Sequence, residues 1–437
     1  MRNIYKLSIK IATALFLFNF LQIEAQLTVM AVGAYTPGGV SNNGIVSLST
    51  SGGVFKWDAV NGLVQIGTVA NGYPLAGNAP ISVDGTKIAS TITNTATGFN
   101  EISTYDIATS TWTNRGGLVP TGWDGSVSST WGMTPDGNTI VGLGWLTGAM
   151  AHAVKWDATN GVVDLGSIVP ERSSRANAVN DDGTVVVGWQ DQADGARRGA
   201  KWVNGVESFI TDNSGNNVGE AGGVSSDGNT IIGSAIPNPY VWNNTTGLIY
   251  ITHPNSSAFF RGAATAISAD GGTVLGYFRS FPGPAAAGEG FIWTAAGGRV
   301  NLNDYATSLG INTQGIIMAL PLAISKDGKK IVGVGRDSSF QVVAFYLDIT
   351  SYLSTNEGVK HNEDKISIYP NPAKDVINIK GANKIDKAQL YNMVGQKVRT
   401  YDSVGNQIDV SSLSKGTYVL EFFVKGEVSQ SLKFIKQ

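Results

Sequence analysis

The sequence has no cysteine, three histidines and no long apolar stretch beyond its first two dozen residues. Without cysteine there are no disulfides, no thiolate metal sites and no Cys nucleophile, so packing alone must hold the fold. The histidines, His152, His253 and His361, show no His-x-x-x-His spacing, and no Gly-x-Ser-x-Gly elbow is present. Zinc catalysis and nucleophilic triads therefore have no sequence basis. Charged residues make up only 15% of the chain. Residues 27–350 carry a net charge of −7 and residues 366–437 one of +4. The large part has no basic stripe, which excludes nucleic acid as a partner. The one apolar run, Ile11 to Leu21, follows Arg2, Lys6 and Lys10 and precedes Glu24-Ala25-Gln26. It is too short for the roughly 20 residues that span a bilayer, and it reads as a secretory signal peptide over 1–25, cleaved after Ala25. No transmembrane segment follows.

What is abundant is glycine, with 55 residues, together with Thr, Ser and Asn. That composition describes a turn-rich, all-β chain with no helix of consequence in its middle. One frame recurs: a small residue, an apolar residue, Ser/Thr/Asn, any residue, Asp-Gly, two residues, two apolar residues and Gly. It is clearest at Ala178 to Gly188 and returns around Asp136, Asp227, Asp270 and Asp327, with degenerate copies at Asn43 and Asp84. Successive copies lie 41, 52, 46, 45, 43 and 57 residues apart, a period of solenoids and propellers. Asp-Gly accepts the positive φ of a hairpin turn, so each unit reads as strand, tight turn, strand. A third strand ends on an aromatic, as in Phe55-Lys56-Trp57 or Ala200-Lys201-Trp202, and a second turn leads to a fourth. The expectation is an all-β β-propeller of about seven four-stranded blades over residues 26–350. Leu27 to Ala34 would complete the last blade, whose own copy stops after three strands.

This part resembles the bacterial extracellular repeats named for a His-Ala-Phe tripeptide, through the Asp-Gly-x-x-apolar-apolar-Gly and apolar-apolar-Trp segments and Ala151-His152-Ala153. It is similar more loosely to propellers of the TolB and WD40 kind. The resemblance implies an architecture and no defined activity.

Residues 351–365 are polar and aperiodic and read as a linker. From Ile366 the pattern becomes short alternating strands between Gly, Asn and Pro turns, the mark of a small immunoglobulin-like β-sandwich. Its motifs run in a specific order: Tyr369-Pro370-Asn371-Pro372, Asp375, the turn at Gly395, Gly416 with Tyr418, and Lys433 to Lys436. In that order they closely resemble the type A C-terminal sorting domain of the type IX secretion system of Bacteroidetes. The resemblance implies passage through the periplasm and recognition by the type IX translocon. It also implies removal by the sorting-domain peptidase and a protein that is secreted or attached to the outer-membrane surface.

No catalytic residue, metal or cofactor is expected. The repeated Asp residues could be calcium ligands, but one carboxylate per two-residue turn lacks the oxygen cluster that calcium needs, and turn formation explains them. Glu171, Glu220, Glu289 and Asp304 are the candidates for a polysaccharide-active hydrolase or lyase on this scaffold, the alternative reading. A binding or adhesion propeller for a surface glycan or protein is favoured. The stereotyped turns share one end of each blade, so the long, non-repeating loops gather at the other. There Trp145, Trp189 and Tyr277 follow the second strands, beside Arg172, Arg175, Arg197, Arg198 and Arg279. Either the aromatics cap the ends of their own blades, or they are exposed and, with the arginines, stack on sugar rings or grip an acidic glycan or peptide.

Overall fold

The computed structural model describes residues 26–69, 77–123, 125–350, 366–380, 385–392, 395–402, 404–424 and 427–437. The signal peptide and the linker proposed from the sequence lie outside them.

Residues 26–348 form seven antiparallel sheets. The first runs Thr36–Val40, Val46–Ser49, Gly53–Asp58, Gly62–Thr68. The second has Lys87–Thr93, Asn100–Asp106 and Thr111–Asn114. The third is Ser128–Met133, Thr139–Trp145, Ala151–Asp157, Gly161–Asp164, and the fourth Ser174–Val179, Val185–Asp191, Arg197–Val203, Val206–Phe209. The fifth holds Ala221–Val224, Thr230–Ala235, Asn238–Asn243, Gly247–Tyr250. The sixth holds Phe260–Ile267, Val274–Ser280, Glu289–Thr294, Gly298–Asn301. In the seventh, Ile317–Ile324, Lys330–Arg336 and Val342–Asp348 are joined by Gln26–Val32, which pairs with Val342–Asp348 as the outermost strand. Each sheet packs on the next through its first strand, and the first strand of the first sheet packs on the seventh. The result is a closed, propeller-like ring.

The recurrent turn is built by local side-chain bonds. In the second sheet, Ser82 Oγ donates to Asp84 Oδ1 at 2.6 Å, Asp84 Oδ1 accepts from Thr86 N, and Ser82 Oγ accepts from Lys87 N. Thr134 with Asp136, Ser225 with Asp227, Ser268 with Asp270 and Ser325 with Asp327 repeat the arrangement. The glycine that follows takes a left-handed φ, +72° at Gly85 and +76° at Gly228, where a Cβ would be strained. Hydrogen bonds from the Ser82 and Ser225 hydroxyls hold the Asp84 and Asp227 carboxyls below their ordinary range. The residue between Ser and Asp bonds the neighbouring turn: Asn42 N donates to Val83 O, Val83 N to Pro135 O, Asp181 N to Ser226 O and Ser226 N to Ala269 O. One motif thus makes the hairpin and stitches the inner end of the ring.

Three features depart from the expectation. The second sheet has three strands, its innermost member reduced to the bridge between Ile81 and Ile88. Pro80 there has no N–H to extend a ladder, and Asn78 N donates instead to Thr130 O of the third sheet. Second, a helix, α1 (Leu302–Ser308), links the sixth and seventh sheets, capped by Asn301 and anchored by buried Leu302, Tyr305 and Ala306. Third, the innermost strands carry a one-residue bulge, at Gly38, Trp131, Asn177, Gly222, Thr265 and Leu322. The bulge turns a side chain toward the next sheet: Asn177 Nδ2 donates to Ala221 O and Thr265 Oγ1 to Pro321 O.

The tail is separate in its core. Ser367–Tyr369, Val376–Lys380 and Gln407–Asp409 form one sheet, and Lys397–Tyr401, Lys387–Asn392, Gly416–Val424 and Glu427–Lys436 the other. Ile377, Ile408, Leu390, Leu420, Phe422 and Phe434 fill the space between them.

Candidate functional site

The second-to-third turns and the links between sheets lie at the end opposite the Asp-Gly turns. The aromatics proposed for that face are not equivalent. Trp189 is 4% exposed, which corrects its reading as an exposed ring. It stands directly opposite Arg175 in the ladder. The Arg175 guanidinium lies 3.5 Å from the Trp131 ring and 5.1 Å from Trp189, and Arg197 lies 3.6 Å over Trp189. Glu220 closes the stack, 2.8 Å from Arg175 and 3.9 Å from Arg197, while Asp191 pairs with Arg197 at 3.2 Å. Burial pushes the Arg175 guanidinium down to about 10 despite the Glu220 carboxylate. Every charge in this assembly has a partner, so it joins the third, fourth and fifth sheets rather than presenting a surface. The Trp189 indole N–H is buried without a protein partner. Arg172 donates to Ala193 O and Arg198 to Arg197 O. Trp145 is half-buried at the end of its strand.

Tyr277 and Arg279 belong to a different setting in the sixth sheet. Here Phe260 opposes Ser280, Arg261 opposes Arg279 and Ala263 opposes Tyr277. Side chains alternate along a strand, so Tyr277, Arg279 and Phe281 share one face with Phe259 and Arg261. Phe260, Phe278 and Phe291 pack behind it with His253. Phe259 is 75% exposed and Phe281 41%. Arg261 lies flat on Phe281 at 3.4 Å, while Arg279 donates to Gly283 O at 2.7 Å and stands 5.8 Å from the Tyr277 ring. Two further aromatics on this end of the ring, Trp123 and Phe340, are 45% and 80% exposed. Phe259, Arg261, Phe281 and Phe340 were not singled out from the sequence.

The candidate carboxylates are engaged or isolated. Glu289 is held by Arg299 at 3.2 Å and His253 Nε2 at 3.1 Å, and His253 Nδ1 accepts from Asn255 N. Glu220 belongs to the arginine stack, Glu171 sits exposed in a turn at φ 57°, and Asp304 lies in the first turn of α1. His152 Nδ1 meets Asp164 at 3.0 Å. A cleft of about 760 Å³ opens between the second and third sheets, lined by Thr104, Thr113, Arg115, Asn138 and Trp156. No helix among the described residues is long and apolar enough to cross a membrane.

In the tail, the first and last motifs form one seam. Asn371 Nδ2 donates to Lys433 O and its Oδ1 accepts from Ile435 N, and Ala373 N donates to Ile435 O while Gln437 N donates to Ala373 O. The Tyr-Pro-Asn-Pro segment, with Pro370 and Pro372 exposed, is thereby laid along the last strand. Tyr369 is exposed, with its carbonyl accepting from Asn378. Asp375 O accepts from Val410 N, and Gly395 takes φ +74° in the Asn392 turn. Gly416 opens the strand that carries Tyr418, whose ring stacks on Phe434 at 5.7 Å and whose hydroxyl donates to Ser414 O. Lys436 is buried and bonds Gln437 O.

Comparison with known proteins places the tail. Residues 367–437 match the family described as secretion system C-terminal sorting domain. Beta-agarase D of Zobellia galactanivorans is 43% identical over 58 residues, 13% of this chain and 12% of the agarase, and the likeness is confined to the tail. Among solved structures, TolB of Acinetobacter baumannii is 17% identical at a TM-score of 0.39, over 61% of this chain and 62% of TolB. An oligogalacturonate lyase in complex with manganese is 12% identical at 0.47, over 75% and 94% of the two chains. The β-propeller domain of the Trilobed protease from Pyrococcus furiosus is 13% identical at 0.46, over 74% and 95%. At such scores the likeness says nothing of activity. The chain thus spans under two thirds of the agarase and of TolB. Residues 367–437 are a type IX sorting domain, and a chain that carries one is exported to the cell surface or beyond.

Proposed function

We propose that this is a surface or secreted binding protein, in which a seven-bladed propeller of His-Ala-Phe-like repeats is the cargo and an immunoglobulin-like sandwich is the sorting signal. In this reading, a bacterium of the Bacteroidetes removes the signal peptide after Ala25, and the translocon and its peptidase act on the tail. The ligand is a glycan or protein at the cell surface. The observation that carries the reading is the exposure of the neighbouring Phe259 and Phe281 at the loop end of the sixth sheet, with Trp123 and Phe340 exposed elsewhere on the same end, because adjacent exposed aromatics mark interaction surfaces. Trp145 and Tyr277 lie on the same end and are half-buried. The polysaccharide-active alternative has less support, since Glu220 and Glu289 are both neutralised by arginines.

The test is retention of the labelled protein on immobilised polysaccharides and on intact cells. Alanine at Trp123, Phe259, Phe281 and Phe340 should abolish retention, while alanine at Asn61 and Thr159 on the opposite end leaves it intact. Retention by the folded loop-end variant would sink the reading, and release of soluble fragments would favour the enzyme.

A further inference from the structure

Arg261 and Arg279 stand directly opposite each other on adjacent antiparallel strands. At that register Cβ atoms are about 5 Å apart, and like charges destabilise the pair. Among the described residues no carboxylate lies within ion-pair distance of either guanidinium, since the nearby Glu289 is taken by Arg299 and His253. Among the described residues the Arg261 side chain finds no hydrogen-bond acceptor, and its guanidinium is held against the Phe281 ring at 3.4 Å. Its N–H groups are therefore left without a protein acceptor on a side chain held by the ring, the arrangement suited to bidentate capture of an oxyanion. The stack in the fourth sheet shows the contrast: there Arg175 and Arg197 share Glu220.

The geometry points to a site for the acidic group of a glycan between Arg261 and Arg279, with the sugar ring against Phe259 and Phe281. This rests on the reading of the loop end as the binding face and deepens it. A carboxylate or sulfate supplies the charge that the two guanidiniums lack, and the largely exposed Phe259 ring, with the part of Phe281 that Arg261 leaves uncovered, takes the apolar face of a sugar. A peptide strand is disfavoured because the backbone donors here are already used: Phe260 N bonds Ser257 O, Gly262 N bonds Pro237 O and Phe281 N bonds Phe259 O. No free edge remains for strand addition.

The test measures affinity of the full chain for alginate, carboxyl-reduced alginate, dextran sulfate, dextran and polyglutamate. Alginate or dextran sulfate should bind at least tenfold tighter than its neutral counterpart, and the preferred one identifies the acid as carboxylate or sulfate. Arg261→Gln with Arg279→Gln should lose that tenfold while the thermal midpoint stays level or rises, because a like-charge contact is removed. Arg261→Lys, which keeps charge but not the planar fork, should lose at least threefold. Equal affinity for acidic and neutral polymers, equal competition by polyglutamate, or full affinity in the double variant would each overturn the assignment. If the aromatic variants lose glycan retention while the double arginine variant keeps it, the loop end remains the binding face and the acid site falls.

Discussion

The Lys326 ammonium pairs with the Asp181 carboxylate, 145 residues away in sequence and on the far side of the ring. Both occupy the variable position of the Ser-x-Asp-Gly turn, in the seventh and fourth sheets, so the turns converge closely enough for a lysine to cross between them. Both side chains are partly exposed, and such a pair contributes little. Lys326→Ala should cost no more than about 1 kcal/mol in denaturant unfolding, and less in high salt. A larger loss would mean that this contact organises the inner end of the ring.

Glu207 should make stability pH-dependent. Its Oε2 accepts from Ile168 N at 3.0 Å, while Oε1 is buried without a partner. Burial pushes its carboxyl up to about 7. The native state holds the proton more tightly than the unfolded chain, so this contribution is complete below the ordinary value of 4.5 and lost as pH rises through about 7. Thermal melts from about pH 5 to about pH 8 should show a loss on the order of 1 to 2 kcal/mol once solvent screening is allowed for. Glu207→Gln should flatten that slope, and an unchanged slope would assign it to another group.

Closure of the ring depends on Gln26–Val32. Leu27 is 3% exposed and packs in a cluster with Phe345 and Leu347. Leu27→Ala should cost about 2 to 5 kcal/mol and make the strand sensitive to protease in the native state, read by limited proteolysis. If the core stays equally stable without that side chain, the first strand is an accessory.

Asn371→Ala removes one donor and one acceptor from the seam with Lys433 and Ile435. It should lower the stability of the tail by about 1 to 2 kcal/mol. It should also shift the protein from medium or surface to periplasm in fractionated cells. The exposed neighbour Lys374 should be replaceable by alanine without effect. Normal export of the Asn371 variant would separate the recognised feature from this seam.

The turn motif was legible in sequence because its bonds span two to five residues, from Ser82 to Asp84 and Lys87. The tail was legible for the same reason of fixed order. The binding face was only half so. Trp189 follows the same Gly as Tyr277 does in its own sheet, yet Arg175 and Arg197 lie over it, and those come from the two strands on either side of its own. The pairing of Arg261 with Arg279 was hidden by the bulge at Thr265. Counted from the Asp270-Gly271 hairpin without that extra residue, Arg261 would face Ser280, and a slip of one moves a side chain to the other face. A regular ladder cannot be assumed where the inner strand has to reach a neighbouring sheet.

The outermost strand of the last sheet is the first among the described residues, with Gln26 paired to Asp348. During synthesis residues 26–32 are made about 300 residues before the strand they pair with, and they wait for it without a partner. Such distant pairing is slow, and the waiting strand carries apolar Leu27, Val29 and Met30 that would otherwise aggregate. Vectorial synthesis therefore leaves this ring open until residues 342–348 have been made, so the first strand is the last to find its place.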